Sequence, residues 1–370
     1  MSSRRAAAAA CLIFTSALVA PAAPAQTGDP IVVALMTGFL PGANPGLSIL
    51  NGKLQTAFSG GGALPPFSSQ VFAYNGFAAA SAFVAAAGPN AKVVLVGHSF
   101  GAEGNFLLAT NHLAPLGIDV DLQISVDYVA QASPFAATTP TVPPTVLHAL
   151  SYFQTSTTLF EPVPSFQING AARNLNLESV FADTSFVHTS IDDDARFHEL
   201  VIARVRELFQ PAPYPGTGED LELFCRVDTL NVACTPASGV AVAGVLAQHP
   251  TRTISSGQWL TTRTVSGEGD FVGAPFVVVG HVFVTGAPPT PLVPGLATDL
   301  DPAVIFGVNP LGFQTWPFLF APLTSGGFDA QVCWPAGLQG VSILLQTVAL
   351  APSAANGLFT TSHGIELRGV

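Results

Sequence analysis

The chain has 370 residues, a formal net charge of −11 at pH 7, and only 9% charged residues against 49% hydrophobic residues. Twelve lysines and arginines in an acidic chain cannot neutralise a phosphate backbone, which argues against nucleic acid or anionic lipid as a partner. After residue 25, no stretch is a continuous apolar run of membrane-spanning length. We therefore expect no stable membrane insertion.

The first residues have the pattern of an export signal. Arg4 and Arg5 precede an apolar run at 6–20, and a Pro/Ala-rich exit follows at 21–25. A charged start, a short apolar core and a small-residue exit predict a signal peptide over 1–25 and a secreted or periplasmic protein. A retained membrane anchor is the alternative, but the apolar run is short for a span.

Buried-type apolar runs alternate with segments of helical period along the first half of the chain. This alternation predicts a mostly parallel sheet with helices on both faces, within a domain at 27–210. The predicted strands are 31–36, 70–74, 93–96 and 120–127, and the predicted helices are 46–58, 76–87 and 102–112. A proline/threonine-rich active-site loop at 131–146, a helix at 146–153, a strand at 165–170 and a final helix at 193–209 are predicted to follow.

The composition and periodicity of the sequence change after residue 210. Residues 211–218 are rich in proline and glycine, which predicts a linker between two domains. Beyond it, short β-branched segments such as 276–279 and 281–284 are separated by Gly/Pro turns. Residues 219–370 are therefore predicted to form an all-β sandwich.

Three cysteines follow the signal peptide. Cys225 and Cys234 flank a plausible hairpin, so in an oxidising compartment we expect a disulfide between them, with Cys333 left over. No CxxC spacing is present, which argues against zinc.

The segment with the clearest chemical signal is Gly97-His98-Ser99-Phe100-Gly101. The bare GxSxG pattern can arise by chance in a chain with 35 glycines. Here a buried-type strand runs directly into the pattern and a helical segment follows it, which is the layout of a nucleophile elbow. We therefore predict that Ser99 is a nucleophile.

A serine nucleophile needs a base, and the base needs an orienting acid, in the chain order serine, acid, histidine. Asp127 is the leading acid because it ends the next predicted strand, at the sheet edge where the elbow lies. An ordinary strand-end aspartate is the alternative. The acidic run 192–194 supplies other candidates, although capping of the final helix explains it.

The base is chosen from eight histidines. His188 is favoured because it follows the acid in the chain and lies in a loop just before the final predicted helix. His98 is predicted to be a packing residue beside the serine, and His198 a solvated helix residue. The remaining histidines lie on predicted helices or in the second domain: His112, His148, His249, His281 and His363.

An oxyanion hole needs two backbone N–H donors aimed at the developing negative charge. One is predicted from Phe100, the residue after the nucleophile. The other is predicted from the loop after the first strand, where Phe39 is preferred and Leu40 is the second choice. A simple strand-exit turn is the alternative for this loop.

These residues together resemble the α/β-hydrolase superfamily, in a compact lipase/esterase-type version over residues 30–209. The resemblance implies a catalytic triad of Ser99, Asp127 and His188 acting through an acyl-enzyme. The loop Thr37-Gly38-Phe39 differs from the His-Gly-Gly-Gly type of many esterases, so no substrate class is carried over. Residues 219–370 resemble, more weakly, C-terminal β-modules of secreted bacterial proteins, which implies no chemistry.

No cofactor or metal is predicted. Asp299 and Asp301 could contact calcium, but a turn explains them better, and no GxxxxGK[ST] loop for nucleotides is present. The three tryptophans are isolated and read as packing residues rather than as a carbohydrate-binding face: Trp259, Trp316 and Trp334.

The sequence therefore favours a secreted serine hydrolase that cleaves small or lipid-like carboxylic esters. An amidase or thioesterase using the same triad is one alternative, because the triad does not choose the leaving group. A binding or adhesion protein with a silent hydrolase scaffold is another, in which the β-domain binds a polymer or surface partner.

Overall fold

The structure is a computed structural model that describes most of the chain. The described residues are 28–39, 45–59, 64–156, 162–210, 212–228, 245–290, 294–297, 321–334 and 336–370. The predicted signal peptide at 1–25 lies outside them. Among the described helices, none is both long and apolar enough to cross a membrane.

A six-stranded parallel sheet organises the first half, with the strand order β2-β1-β3-β4-β5-β6. Its strands are β1 (Ile31–Met36), β2 (Phe67–Phe72), β3 (Lys92–His98), β4 (Leu122–Val126), β5 (Ala149–Phe153) and β6 (Arg173–Asn176). Strands β1 and β3 are apolar on both faces and contribute to a core on each side, as expected for parallel strands that are covered on both faces. The α/β prediction for this half is confirmed at that level.

In the part of the chain that the structure describes, five α-helices pack on this sheet: α1 (Gly46–Phe58), α2 (Phe77–Ala86), α3 (Phe100–Leu108), α4 (Leu177–Phe181) and α5 (Ala195–Glu207). Alternate residues of a strand point to opposite faces. Accordingly, Ile31 and Val33 of β1 join a core with α1 and α5. Val32 and Ala34 join a second core with α2 and the end of α3.

The C-terminal part contains two further sheets, in which every strand pairing but β15–β8 is antiparallel. The strands are β7 (Glu222–Asp228), β8 (Thr251–Ile254), β9 (Trp259–Val265), β10 (Pro275–Val284), β11 (Ala321–Pro322), β12 (Phe328–Cys333), β13 (Val341–Leu350), β14 (Phe359–Thr361) and β15 (Ile365–Gly369). One sheet has the order β12-β9-β7, and the other has β11-β10-β13-β15-β8 with β14 on β13. Leu223 and Leu260 of the first sheet share a core with Ile343 and Leu367 of the second.

The two halves of the chain are joined by apolar and polar contacts. Phe224 and Val265 from the three-stranded sheet enter the core of the parallel sheet. Arg173 donates to the carboxylate of Asp220 at 3.0 Å. Arg263, which is buried in β9, donates to the carbonyl of Val180 in α4 at 2.5 Å.

Two predicted elements of the first half are not formed. Residues 149–153 form strand β5 instead of part of a helix, because β4 and β6 flank them and complete their backbone hydrogen bonds. The predicted strand at 165–170 is also wrong, since that segment contributes an isolated bridge at Asn169. The strand in this part of the chain is β6. Its sequence, Arg-Asn-Leu-Asn, is mostly polar and lacks the apolar pattern that predicts a buried strand.

The expected disulfide between Cys225 and Cys234 is wrong. Cys225 is a free thiol, completely buried in the core shared by the two C-terminal sheets, where burial raises its pKa to about 12. Cys333, predicted to be left over, is disulfide-bonded. Cys234 lies outside the described residues.

Candidate active site

Ser99 occupies a sharp turn between β3 and α3. Its φ of 57° and ψ of −124° are strained for a residue with a side chain. A Cβ on Gly101 would overlap the carbonyl of Met36, and a Cβ on Gly97 would overlap the carbonyl of Gly101. The strand, the turn and the helix predicted around the GxSxG pattern are therefore all present, with glycine required on both sides.

Ser99, His188 and Asp127 are brought together at the carboxyl edge of the parallel sheet. The hydroxyl Oγ of Ser99 lies 2.9 Å from Nε2 of His188. Nδ1 of His188 lies 3.2 Å from Oδ2 of Asp127. Ser99 is 6% exposed, His188 4% and Asp127 0%, so the chain of contacts is shielded from water but opens at the serine.

Parallel pairing places the serine and the acid side by side. His98 at the end of β3 is in register with Val126 at the end of β4, so the residues that follow each strand are neighbours. Asp127 has a φ of 44°, which marks a second strained turn at the same edge. The Ser99 N–H donates to the Val126 carbonyl at 2.9 Å, which ties the elbow to this strand.

Gln154 is a site residue that the sequence analysis missed. Its backbone N–H donates to Oδ1 of Asp127 at 3.0 Å, and its side-chain amide donates to Oδ2 at 3.1 Å. Gln154 directly follows β5, the neighbour of β4, and is completely buried. The rule that site residues follow adjacent parallel strands could have found it, had β5 been recognised as a strand.

His98 is not only a packing residue. Its Nε2 donates to the backbone carbonyl of His188 at 2.8 Å, and its Nδ1 lies 3.5 Å from Oδ1 of Asp192. Burial, and then the charge of His188, lower the pKa of His98 to about 3, so its ring is neutral. Burial raises the pKa of Asp192 to about 6.

The aspartates of the acidic run before α5 have different roles. Asp194 caps the helix as expected, since its carboxylate accepts the Arg196 N–H. Asp192 is instead buried beside His98. The prediction that His198 is solvated is wrong: it is 1% exposed and its Nε2 donates to the Asp192 carbonyl at 2.7 Å.

A cavity of about 360 Å³ opens over the serine. The apolar part of its wall consists of aromatic and proline side chains: Phe39, Phe100, Pro134, Phe135 and Pro162. The polar residues of the wall are Thr37, Thr189, His98, Asp192, Ser99 and His188. Phe39 and Phe135 are 58% and 70% exposed, which makes the mouth of the cavity apolar.

Both predicted oxyanion residues border this cavity. Phe100 begins α3, and Phe39 lies against it with ring centroids 5.8 Å apart. Gly38 approaches the serine so closely that a Cβ there would lie 3.2 Å from the Cβ of Ser99. Leu40, the second choice, lies outside the described residues.

Within the described ranges, no group of three His, Cys, Asp or Glu side chains could hold a metal ion. Asp299, Asp301 and Trp316 lie outside those ranges. Trp334 is 2% exposed and belongs to the core between the C-terminal sheets, as a packing residue does.

No protein-family model matches the chain, and no curated protein matches it. One solved structure with some similarity is titled "A novel cutinase-like protein from Cryptococcus sp.". It is 17% identical, covers 45% of this chain and 73% of its own, and aligns with a TM-score of 0.20. Because this likeness is so weak, the function of the chain is inferred from its own site.

Proposed function

We propose that this chain is a serine hydrolase of the compact α/β-hydrolase type that cleaves carboxylic esters. The observation that carries the proposal is the continuous contact from Ser99 Oγ through both ring nitrogens of His188 to Asp127. A strained serine between two obligatory glycines supports it, because a structural serine needs neither feature.

The geometry supports an acyl-enzyme route. Asp127 accepts the Nδ1–H of His188, which leaves the lone pair of Nε2 facing the serine hydroxyl. Ser99 Oγ attacks the ester carbonyl carbon while its proton passes to Nε2. The alcohol then leaves with that proton, and a water molecule activated by His188 releases the acid and regenerates the serine.

The oxyanion formed in this reaction needs fixed donors. In the proposal, the backbone N–H groups of Phe100 and Phe39 supply them, since both residues border the cavity over Ser99. Each such donor typically lowers the barrier by about 3–4 kcal/mol.

The cavity indicates the kind of substrate. An apolar mouth and aromatic walls favour an ester with an uncharged, apolar acyl or alcohol group. The triad itself would also serve an amide or a thioester, so the leaving group is decided by experiment. Export of the protein, and a polymer or surface partner for the C-terminal part, stay predictions from the sequence.

Replacing the nucleophile tests the proposal. Ser99→Ala is expected to abolish both turnover of a chromogenic short-chain ester and labelling by a fluorophosphonate. The matched control is Ser68→Ala, an exposed serine in β2 that does not line the cavity, which should keep wild-type rates. Equal turnover in the two variants would exclude Ser99 as nucleophile. A wild-type protein that neither labels nor turns over esters or amides would favour the silent scaffold.

A further inference from the structure

We propose that His98 and Asp192 form a positioning pair that holds the base, His188, by its backbone carbonyl. The inference rests on the proposed function, since it concerns the base of that same site. Neither residue belongs to the Ser99–His188–Asp127 chain, and both are buried beside it, at 3% and 2% exposure.

The contact to His188 fixes the tautomer of His98. A backbone carbonyl oxygen only accepts hydrogen bonds, so Nε2 of His98, at 2.8 Å, must carry a hydrogen. The two imidazole rings lie with centroids 5.0 Å apart. His188 is thus held twice: Asp127 holds its ring and His98 holds its main chain.

Asp192 selects this tautomer. With the hydrogen on Nε2, a neutral His98 ring presents a lone pair at Nδ1, which faces Oδ1 of Asp192 at 3.5 Å. Oδ1 has no hydrogen-bond partner among the described residues. An ionised carboxylate here would face the Nδ1 lone pair with one acceptor against another. In the proposal Asp192 therefore carries a proton on Oδ1, directed at Nδ1 of His98.

The surroundings of Asp192 hold it rigidly. The N–H groups of Leu47 and of Asp192 itself face its carboxylate, and its charged or titratable neighbours include His98, Asp127, His188 and Asp193. Gly46 of α1 lies against the Asp192 backbone, where any Cβ would overlap it. His198 of α5 donates to the Asp192 carbonyl. Helices α1 and α5 thereby fix Asp192. Asp192 orients the ring of His98, and His98 in turn holds the backbone of His188.

Substitution of His98 tests whether its hydrogen bond to the His188 carbonyl positions the base. His98→Leu removes the donor, and because small displacements of a reacting group can cost 10²-fold, kcat is expected to fall by about 10- to 100-fold with KM nearly constant. His98→Gln places an amide N–H near the position of Nε2, so kcat should fall by less than about 3-fold. A large loss in both variants, or a change in KM alone, would contradict the anchoring role.

Substitution of Asp192 tests whether its carboxyl group donates a hydrogen bond to Nδ1 of His98. The amide of Asp192→Asn can donate to Nδ1 of His98, as the protonated carboxyl does, so this variant should keep most of the activity. Asp192→Leu cannot donate and should lose kcat as His98→Leu does. If the asparagine variant is as inactive as the leucine variant although both fold, the proton assignment is wrong.

A spectroscopic readout separates this proposal from the ester-hydrolase proposal. The downfield proton resonance of the His188 Nδ1–H, assigned by its absence in Asp127→Asn, should persist in His98→Gln and broaden in His98→Leu. An unchanged resonance in His98→Leu would overturn the positioning pair, whether or not the protein hydrolyses esters. Absence of Ser99-dependent turnover in the wild-type protein would overturn the hydrolase proposal alone.

Discussion

At the scale of single residues, the site depends on a carboxylate that is shielded from water and still fully partnered. Asp127 is completely buried and accepts two hydrogen bonds from Gln154, in addition to the contact with His188. Buried carboxylates need such donors, because an ionised group without them is strongly destabilised. Gln154 therefore keeps Asp127 oriented toward the histidine.

Removing one of these donors should weaken the site without dismantling it. Gln154→Leu deletes the side-chain donor and leaves the backbone N–H, so we expect kcat/KM for ester turnover to fall by about 10-fold. Gln70→Leu makes the same chemical change at an exposed position in β2 and serves as the control. Wild-type kcat/KM in a correctly folded Gln154→Leu protein would show that the backbone N–H alone orients Asp127.

At the scale of elements, the elbow requires α3 to lie close to the sheet. Gly101 is in the first turn of this helix, where its Cα faces the carbonyl of Met36 at the end of β1. Side chains larger than hydrogen cannot fit between a helix and a strand at this separation. The close approach is what exposes Ser99 at the top of the turn.

Two glycine substitutions in helices should therefore have opposite effects. Gly101→Ala is expected to destabilise the protein by about 3 kcal/mol, because the added methyl overlaps the Met36 carbonyl. Gly52→Ala, at an exposed position of α1 with open space around it, should stabilise the protein by up to about 1 kcal/mol. Urea unfolding measures both. Equal stability of the two variants would contradict the close approach.

At the scale of the whole molecule, the two halves share buried charges. Arg204 of α5 lies 3.4 Å from both oxygens of Glu222 in β7 and 3.1 Å from the carboxylate of Glu207. The side chains of Arg204 and Glu222 are only 15% and 10% exposed. An arginine in this position compensates charges that would otherwise be buried without a partner. The C-terminal sheets therefore contribute to the stability of the half that carries the site.

Loss of Arg204 should be costly for this reason. Arg204→Met preserves most of the side-chain volume but leaves Glu222 nearly buried without its cation, so the free energy of unfolding should fall by at least about 2 kcal/mol. Lys92→Met removes a cation that is 42% exposed beside Asp121, and should cost at most about 1 kcal/mol. Chemical denaturation compares the two. A cost for Arg204→Met as small as that for Lys92→Met would show that the junction is not stabilised by this pair.

Local patterns in the sequence predict the elements around Ser99. The run of β-branched residues before the elbow and the two glycines around Ser99 predict a strand and a sharp turn, and both are present. Chain order and the edge rule for parallel sheets then singled out Asp127 and His188, which the structure places in contact with each other. Helix α1 has the bounds that its apolar period predicts.

The contacts between side chains that are distant in sequence depend on the tertiary fold. His98 and His188 are 90 residues apart, and Gln154 and Asp127 are 27 apart, so no local pattern reports these hydrogen bonds. Strand β5 and the free Cys225 were misjudged for the same reason: pairing with β4 and β6, and burial between two sheets, override local preference. The proposed nucleophile is thus encoded locally, whereas the groups that orient the proposed base and acid depend on how the strands and helices pack.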